Sequence, residues 1–133
     1  LTVSYLVLHP FLFALFTLII YSKSNINDNV FQISIADLTG KTVGLYFGAH
    51  WCPPCRSFTK KLIEVYNELK ILRPGNFEVI FISIDRSKEE FQASLSAMPW
   101  LAIPYSDTAR QELTRIFAIK GIPAHLILGM DGN

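Results

Sequence analysis

The sequence predicts an α/β fold, with helices layered on a central sheet. Three observations carry this. Two apolar runs, 42–50 and 77–85, have the nearly continuous hydrophobicity of strands buried on both faces. A long amphipathic stretch, 53–72, lies between them. Two shorter helical patterns then precede a third apolar run at 124–128. The order strand, helix, strand, helix, helix, strand belongs to layered α/β architectures, and the first two buried strands should be parallel.

Residues 1–22, LTVSYLVLHPFLFALFTLIIYS, contain no Lys, Arg, Asp or Glu. A bilayer-spanning helix needs about 20 apolar residues, and His9 and Pro10 interrupt this run. A secretory signal should open on basic residues, and this one does not. Three readings stand: a membrane anchor or uncleaved signal, a piece of a larger core, or sequence foreign to the domain. Any membrane association would come only through residues 1–22. Lys23 would then place the domain after it in the cytoplasm. Residues 23–29 read as a polar linker and 30–133 as the domain proper.

VFQISI (30–35) suits a short strand, and ADLTGK (36–41) a short turn or helix. TVGLYFGAH (42–50) is the first buried strand. A helix should run from Pro53 to Leu72, because Phe58, Leu62, Val65, Tyr66 and Leu69 form one stripe. RPG (73–75) ends it. FEVIFISID (77–85) is the second buried strand. SKEE (87–90) has the spacing of a capping box and opens a helix that turns Phe91 and Leu95 inward and stops at Pro99. DTARQELTRIF (107–117) should be helical, with Leu113, Ile116 and Phe117 inward and Gly121 closing it. AHLIL (124–128) is a further strand, and GMDGN (129–133) a hairpin-type turn. No internal repeat is visible.

The 133 residues fit one domain, and half of them are apolar. Charged residues are 17% and the net charge is +1, which gives no electrostatic case for a nucleic-acid partner. Arg56, Lys60 and Lys61 read as a solvated helix face. The first residue is Leu1 rather than Met, and the last, Asn133, falls in a turn pattern, so the chain reads as a fragment.

Both cysteines lie in WCPPCRSF (51–58). Two are too few for a secreted-type disulfide framework. Cys52 falls where a buried strand ends and a helix begins. Free N–H groups and the helix dipole favour negative charge there, so the site favours a thiolate. Cys55 lies nearly one turn on and returns to the same side. The pair can therefore close into a disulfide and reopen. Pro53 and Pro54 occupy positions where a missing N–H costs little, and they stiffen the loop. The Cys55 N–H remains and should face the Cys52 sulfur. This arrangement suits thiol–disulfide exchange, with Cys52 attacking and Cys55 resolving. Zinc needs about four ligands, and neither His50 nor His125 is spaced to join the pair, so no metal site is assigned within one chain. A zinc or iron–sulfur site shared by two chains remains an alternative. His50 reads as a surface or supporting residue.

WCPPC after an apolar strand, with GIP at 121–123, resembles the thioredoxin superfamily. GLYFGAHWCPPCRSFTKKLIEVYNELK, FEVIFISIDRSKEEF, MPWLAIPY and GIPAHLILGMDG are similar to nucleoredoxins, the plant type above all, and to tryparedoxins. The resemblance runs from about Gln32 to Gly132. It implies a thioredoxin-like fold with a central mixed sheet flanked by helices, cut off before a last strand and helix, so that the 124–128 strand would be a bare edge. It implies Cys52 as nucleophile, Cys55 as resolving thiol, Trp51 shielding the site, and a cis Pro123 that lets Ile122 pair with an extended substrate. It implies a protein-disulfide reductase of the cytoplasm or nucleus. That enzyme binds no cofactor, cycles a Cys52–Cys55 disulfide and draws electrons from NAD(P)H through a thioredoxin-reductase-like donor. No G-x-G-x-x-G is present for a dinucleotide site of its own. A membrane-tethered reductant is the alternative that would use residues 1–22. One position departs from the thioredoxin pattern. Tyr46 stands six residues before Cys52, where many thioredoxins carry a buried Asp for proton transfer, so proton handling should differ.

Overall fold

The structure is a computed structural model that describes residues 2–7, 19–23, 30–34, 38 and 40–129. Its strands are β1 (Thr2–Val7), β2 (Ile19–Lys23), β3 (Val30–Ser34), β4 (Thr42–Gly48), β5 (Phe77–Ser83), β6 (Leu101–Ala102) and β7 (Ala124–Gly129). Its helices are α1 (Pro53–Leu72), α2 (Lys88–Ser96) and α3 (Ala109–Ile116). The sheet order is β1-β7-β4-β5-β6-β2-β3. β4 and β5 are parallel, with Thr42 opposite Phe77 and Gly48 opposite Ser83. β7 runs antiparallel to β4, and β6 parallel to β5. The four central strands are therefore the mixed sheet that was expected.

Alternation along β4 and β5 divides the core in two. Val43, Leu45, Phe47, Ile80 and Ile82 face one side and pack with Leu113 of α3. Tyr46, Val79 and Phe81 face the other and pack with Leu62 and Tyr66 of α1 and Phe91 of α2. Both strands are buried on both faces, which is why their sequences carry almost no polar residue. The one charged residue on them is Glu78, whose carboxylate accepts from the Tyr66 hydroxyl at 2.9 Å and pairs with Lys70 at 3.1 Å.

Several expectations need correction. Val65 and Ile116 were placed inward, but are 47% and 44% exposed. In α1 the buried line runs through Cys55, Leu62 and Tyr66, with Ile63 partly covered. Turning Cys55 to the sheet rotates the helix and carries Val65 off the stripe. The capping box forms only by half. Ser87 Oγ accepts from the Glu90 N–H at 3.2 Å, but the Glu90 carboxylate takes the N–H of Arg86 rather than that of Ser87. Gly121 does not close α3. Ala118 does, at φ 51°, with its N–H on the Arg115 carbonyl and the Ile119 N–H on the Thr114 carbonyl. This is a Schellman closure with alanine where glycine is usual.

The N-terminal run was read as a segment apart from the 30–133 domain, with a piece of a larger core among the alternatives. Its described parts, β1 and β2, are instead strands of the sheet; residues 8–18 lie outside the described residues, and so does the 130–133 portion of the expected terminal turn. β1 lies parallel to β7, Thr2 opposite Ala124 and Val7 opposite Gly129. The β7 edge is thus not bare: β1 meets the unpaired backbone groups that an edge strand offers. β2 pairs with β3 and meets β6 at Tyr21 and Ala102. No helix among the described residues is long and apolar enough to cross a membrane.

Two buried side chains, Trp100 and His125, each keep a ring nitrogen without a hydrogen-bond partner among the described residues. His125 is buried on β7, its ring 5.8 Å from that of Phe58, and its Nε2 has no hydrogen-bond partner among the described residues. Gly44 makes room for it, since a Cβ there would collide with Nε2. Burial lowers the imidazole pKa to about 4. The unfolded chain therefore takes up a proton from about pH 6.5 downwards, and the folded chain does so only near pH 4. Stability from this group is complete above pH 6.5 and falls as pH drops through that window, at up to about 1.4 kcal/mol per unit. Urea titrations across this range should show that slope, and His125→Met should flatten it. Separately, Ala118→Gly should raise unfolding stability by about 1 kcal/mol, because glycine adopts the left-handed region without the Cβ penalty.

Candidate active site

β4 delivers the chain to the site, and α1 leaves from it. Between them lie Ala49, His50, Trp51 and Cys52. Cys52 is the N-cap of α1, in extended conformation, and Pro53 and Pro54 fill the first two helical positions. A missing N–H is harmless there. The Cys55 N–H points to the Cys52 sulfur at 3.3 Å, as the spacing implied. On its other side the Cys52 thiol lies 3.9 Å from the Ile122 carbonyl oxygen. The Ile122–Pro123 bond is cis and leads into β7. Ala49, Cys52 and Cys55 pack together under Ile84 and Ile122. Trp51 stands at the rim, 39% exposed, with the Arg86 guanidinium 4.4 Å from its ring centre. Pro53 and Pro54 are exposed, and Pro123 is half-buried. The predicted residues therefore converge from two ends of the domain.

The two thiols are free and differ in setting. Cys55 is 1% exposed. Burial pushes its thiol up to about 12, and the hydrogen bond with Cys52 adds to this. The nearby Asp85 charge contributes less. Tyr46 reaches under the second cysteine. Its hydroxyl donates to the Cys55 carbonyl at 3.1 Å and shares a 2.8 Å hydrogen bond with Thr59 Oγ1. Burial raises the Tyr46 pKa above its ordinary value, so the phenol stays protonated at neutral pH. Tyr46 thus ties the start of α1 to β4. Gly48 makes this possible, since a Cβ there would sit 2.7 Å from the Tyr46 hydroxyl.

The residue missed in the sequence is Asp85. It is buried just past the end of β5 and accepts three hydrogen bonds: the His50 N–H at 2.7 Å on Oδ1, and the Ser83 and Ser94 hydroxyls at 2.6 and 3.0 Å on Oδ2. A carboxylate at the carboxyl end of a buried strand was the available signal. The His50 carbonyl is held in turn by Arg56 Nη1 at 2.6 Å. His50 serves the site through its backbone, and its side chain is exposed. Arg56, read as solvated, is exposed but engaged. Among the described residues no group of three or more His, Cys, Asp or Glu is placed to hold a metal ion.

The chain has relatives among known proteins. A family model described as Thioredoxin-like matches residues 40–133. A probable nucleoredoxin 3 of Oryza sativa subsp. japonica is 79% identical over 99 residues, which cover 74% of this chain and 21% of that protein. The nucleoredoxin of Homo sapiens is 47% identical over 109 residues, 81% of this chain and 25% of that protein. The chain thus spans a quarter or less of these relatives. Among solved structures, a tryparedoxin from Trypanosoma brucei superposes with a TM-score of 0.75 at 38% identity, covering 87% of this chain and 76% of that one.

Alkylation of the reduced chain should stop at one label per molecule, on Cys52, at any pH below about 10, with peptide mapping as the readout. Asp85→Ala leaves the Ser83 and Ser94 hydroxyls and the His50 N–H without their acceptor. It should cost about 2–3 kcal/mol in chemical denaturation.

Proposed function

Because the chain belongs to the thioredoxin-like family, as a relative of nucleoredoxins and tryparedoxins, we propose that it is a thiol–disulfide oxidoreductase that reduces protein disulfides through Cys52 and Cys55. The observation that carries this is the Cys55 N–H held 3.3 Å from the Cys52 sulfur at the start of a helix. The sulfur of Cys52 thus sits at the N-cap of the helix with a backbone donor facing it, and its neighbour Ile122 lies on the other side. Cys55, one turn behind, is kept protonated by burial until it is needed.

In the first step the Cys52 thiolate attacks one sulfur of the substrate disulfide. A mixed disulfide forms, and the other substrate sulfur leaves as a thiolate that takes up a proton. In the second step Cys55 loses its proton and attacks Cys52 Sγ. The Cys52–Cys55 disulfide forms, and the second substrate thiol departs. Two electrons have passed to the substrate. An external dithiol donor of the thioredoxin-reductase kind, fed by NAD(P)H, would restore the dithiol. An extended substrate segment would pair with the backbone at Ile122, beside cis-Pro123, as an added strand. Trp51 would cover one flank. A metal-binding reading would need further ligands, such as those of a second chain, since the described residues bring no third one to the pair.

Cys55→Ser should accumulate a covalent mixed disulfide with a protein such as insulin, visible on non-reducing gels and cleared by dithiothreitol. Cys52→Ser should form none and reduce nothing. Accumulation with Cys52→Ser but not with Cys55→Ser would reverse the two roles.

A further inference from the structure

We propose that a groove beside the cysteine pair, walled by Arg110, Arg115 and Lys120, receives an acidic segment of the disulfide-bearing protein substrate. This deepens the reading of the site given above and rests on it. The groove has a volume of about 640 Å³ and lies between the carboxyl end of β5 and α3 with the turn after that helix. Ile84 forms part of its wall and also packs on the Cys52–Cys55 cluster. Lys120 stands two residues before Ile122, whose carbonyl oxygen is 3.9 Å from Cys52 Sγ. A peptide extended from a disulfide at Cys52 advances about 3.3 Å per residue, so side chains a few residues from its cysteine come within reach.

The charges of the groove are lopsided. Three cations line it against one carboxylate, Asp85, whose oxygens already accept from His50, Ser83 and Ser94. Glu112, the acid nearest in sequence on α3, is not part of the wall. Arg110 is the telling member. It is only 9% exposed. Its Nε donates to the Tyr105 carbonyl and its Nη1 to the Ser83 carbonyl, each at 2.7 Å, and the guanidinium lies 4.1 Å from the centre of the Tyr105 ring. All three partners are neutral. Among the described residues no carboxylate lies within salt-bridge distance of it. Arginine is almost never buried this far without a counter-charge. Here the fork is already fixed in orientation, so a carboxylate could bind with little further ordering. Arg115 and Lys120 are exposed at the mouth, where they would steer an acidic chain inward.

The test uses two disulfide peptides of equal length, identical except for two Glu or two Lys residues placed about three to five positions from the cysteine, a reach set by strand geometry. With the full chain at low salt, kcat/KM for the Glu peptide should exceed that for the Lys peptide by about tenfold. The ratio should shrink as salt rises. In R115E/K120E it should fall below one. Equal kcat/KM for the two peptides, or a ratio unchanged in the double variant, overturns the inference. The same peptides with Ser for Cys, followed by fluorescence anisotropy, read binding without chemistry. Preferential binding of the Glu peptide with neither disulfide reduced would support the groove and refute the exchange reading. Reduction of both peptides with no binding preference would do the reverse.

Discussion

The carboxylate of Asp85 is the point on which the site depends. A buried charge is tolerated only when its acceptor sites are filled. Here they are filled from three directions: β5 through Ser83, α2 through Ser94, and the loop after β4 through the His50 N–H. The loop cannot shift without unpairing the carboxylate, so His50 is fixed, and Arg56 fixes its carbonyl from the other side. With His50 held, the path to Cys52 leaves little freedom for where α1 starts. The cap hydrogen bond between the cysteines is then a consequence of helix geometry. A dithiol that closes and reopens, as proposed for this pair, would need such a frame, because a sulfur displaced by even an ångström loses its line of attack.

Much of this was legible in the sequence where one physical rule decides the outcome. β4 and β5 are buried on both faces, and their runs are apolar almost without interruption. α1 has the bounds its pattern predicts, with prolines at its first two positions. The rest was hidden where two rules compete. The periodicity of α1 marks a wide stripe, and only the demand that Cys55 face the sheet decides which edge of it is exposed. The end of α3 was read from a glycine, but an alanine takes the left-handed position because the Thr114 and Arg115 carbonyls there need partners. β1 reads as part of a uniform apolar run, because its pairing partner β7 lies more than 100 residues away and leaves no local trace. Asp85 shows why site residues are harder still. A lone acid among strand residues looks like a strand end until the three donors converge on it.

The exchange of the usual buried acid for Tyr46 alters how protons must move. A phenol held protonated by burial cannot take the proton of Cys55 near neutral pH. Asp85 raises the pKa of Cys55 through its charge but is occupied by three donors. The Cys55 thiol is therefore released only when its surroundings change. In the proposed exchange the mixed disulfide would supply such a change, because Cys52 Sγ would then be bonded to the substrate and its hydrogen bond with Cys55, which helps to hold Cys55 as a thiol, would weaken. The leaving substrate thiolate would then be the strongest base at hand, and proton and electron flow would be linked through the substrate rather than through a fixed side chain.

That arrangement leaves the chemistry indifferent to what the substrate is. Any exposed disulfide presents the same two sulfurs, and Ile122 would offer only backbone groups. Discrimination must come from side chains that meet the substrate away from the sulfur. The net charge of +1 hides them, because Glu64, Glu68 and Glu89 on the outer faces of α1 and α2 offset the cations in the total. Position, not composition, carries the signal. Arg86 lies on Trp51 at the rim, and Arg110, Arg115 and Lys120 line the groove behind Ile84. On the proposed reading, a disulfide flanked by acidic residues would meet attraction beside the cysteines, and one flanked by lysines would meet repulsion. Each charge is worth little where it is fully solvated, but Arg110 is largely buried and has no carboxylate within salt-bridge distance among the described residues, and such a guanidinium gains more from a carboxylate than a surface one does.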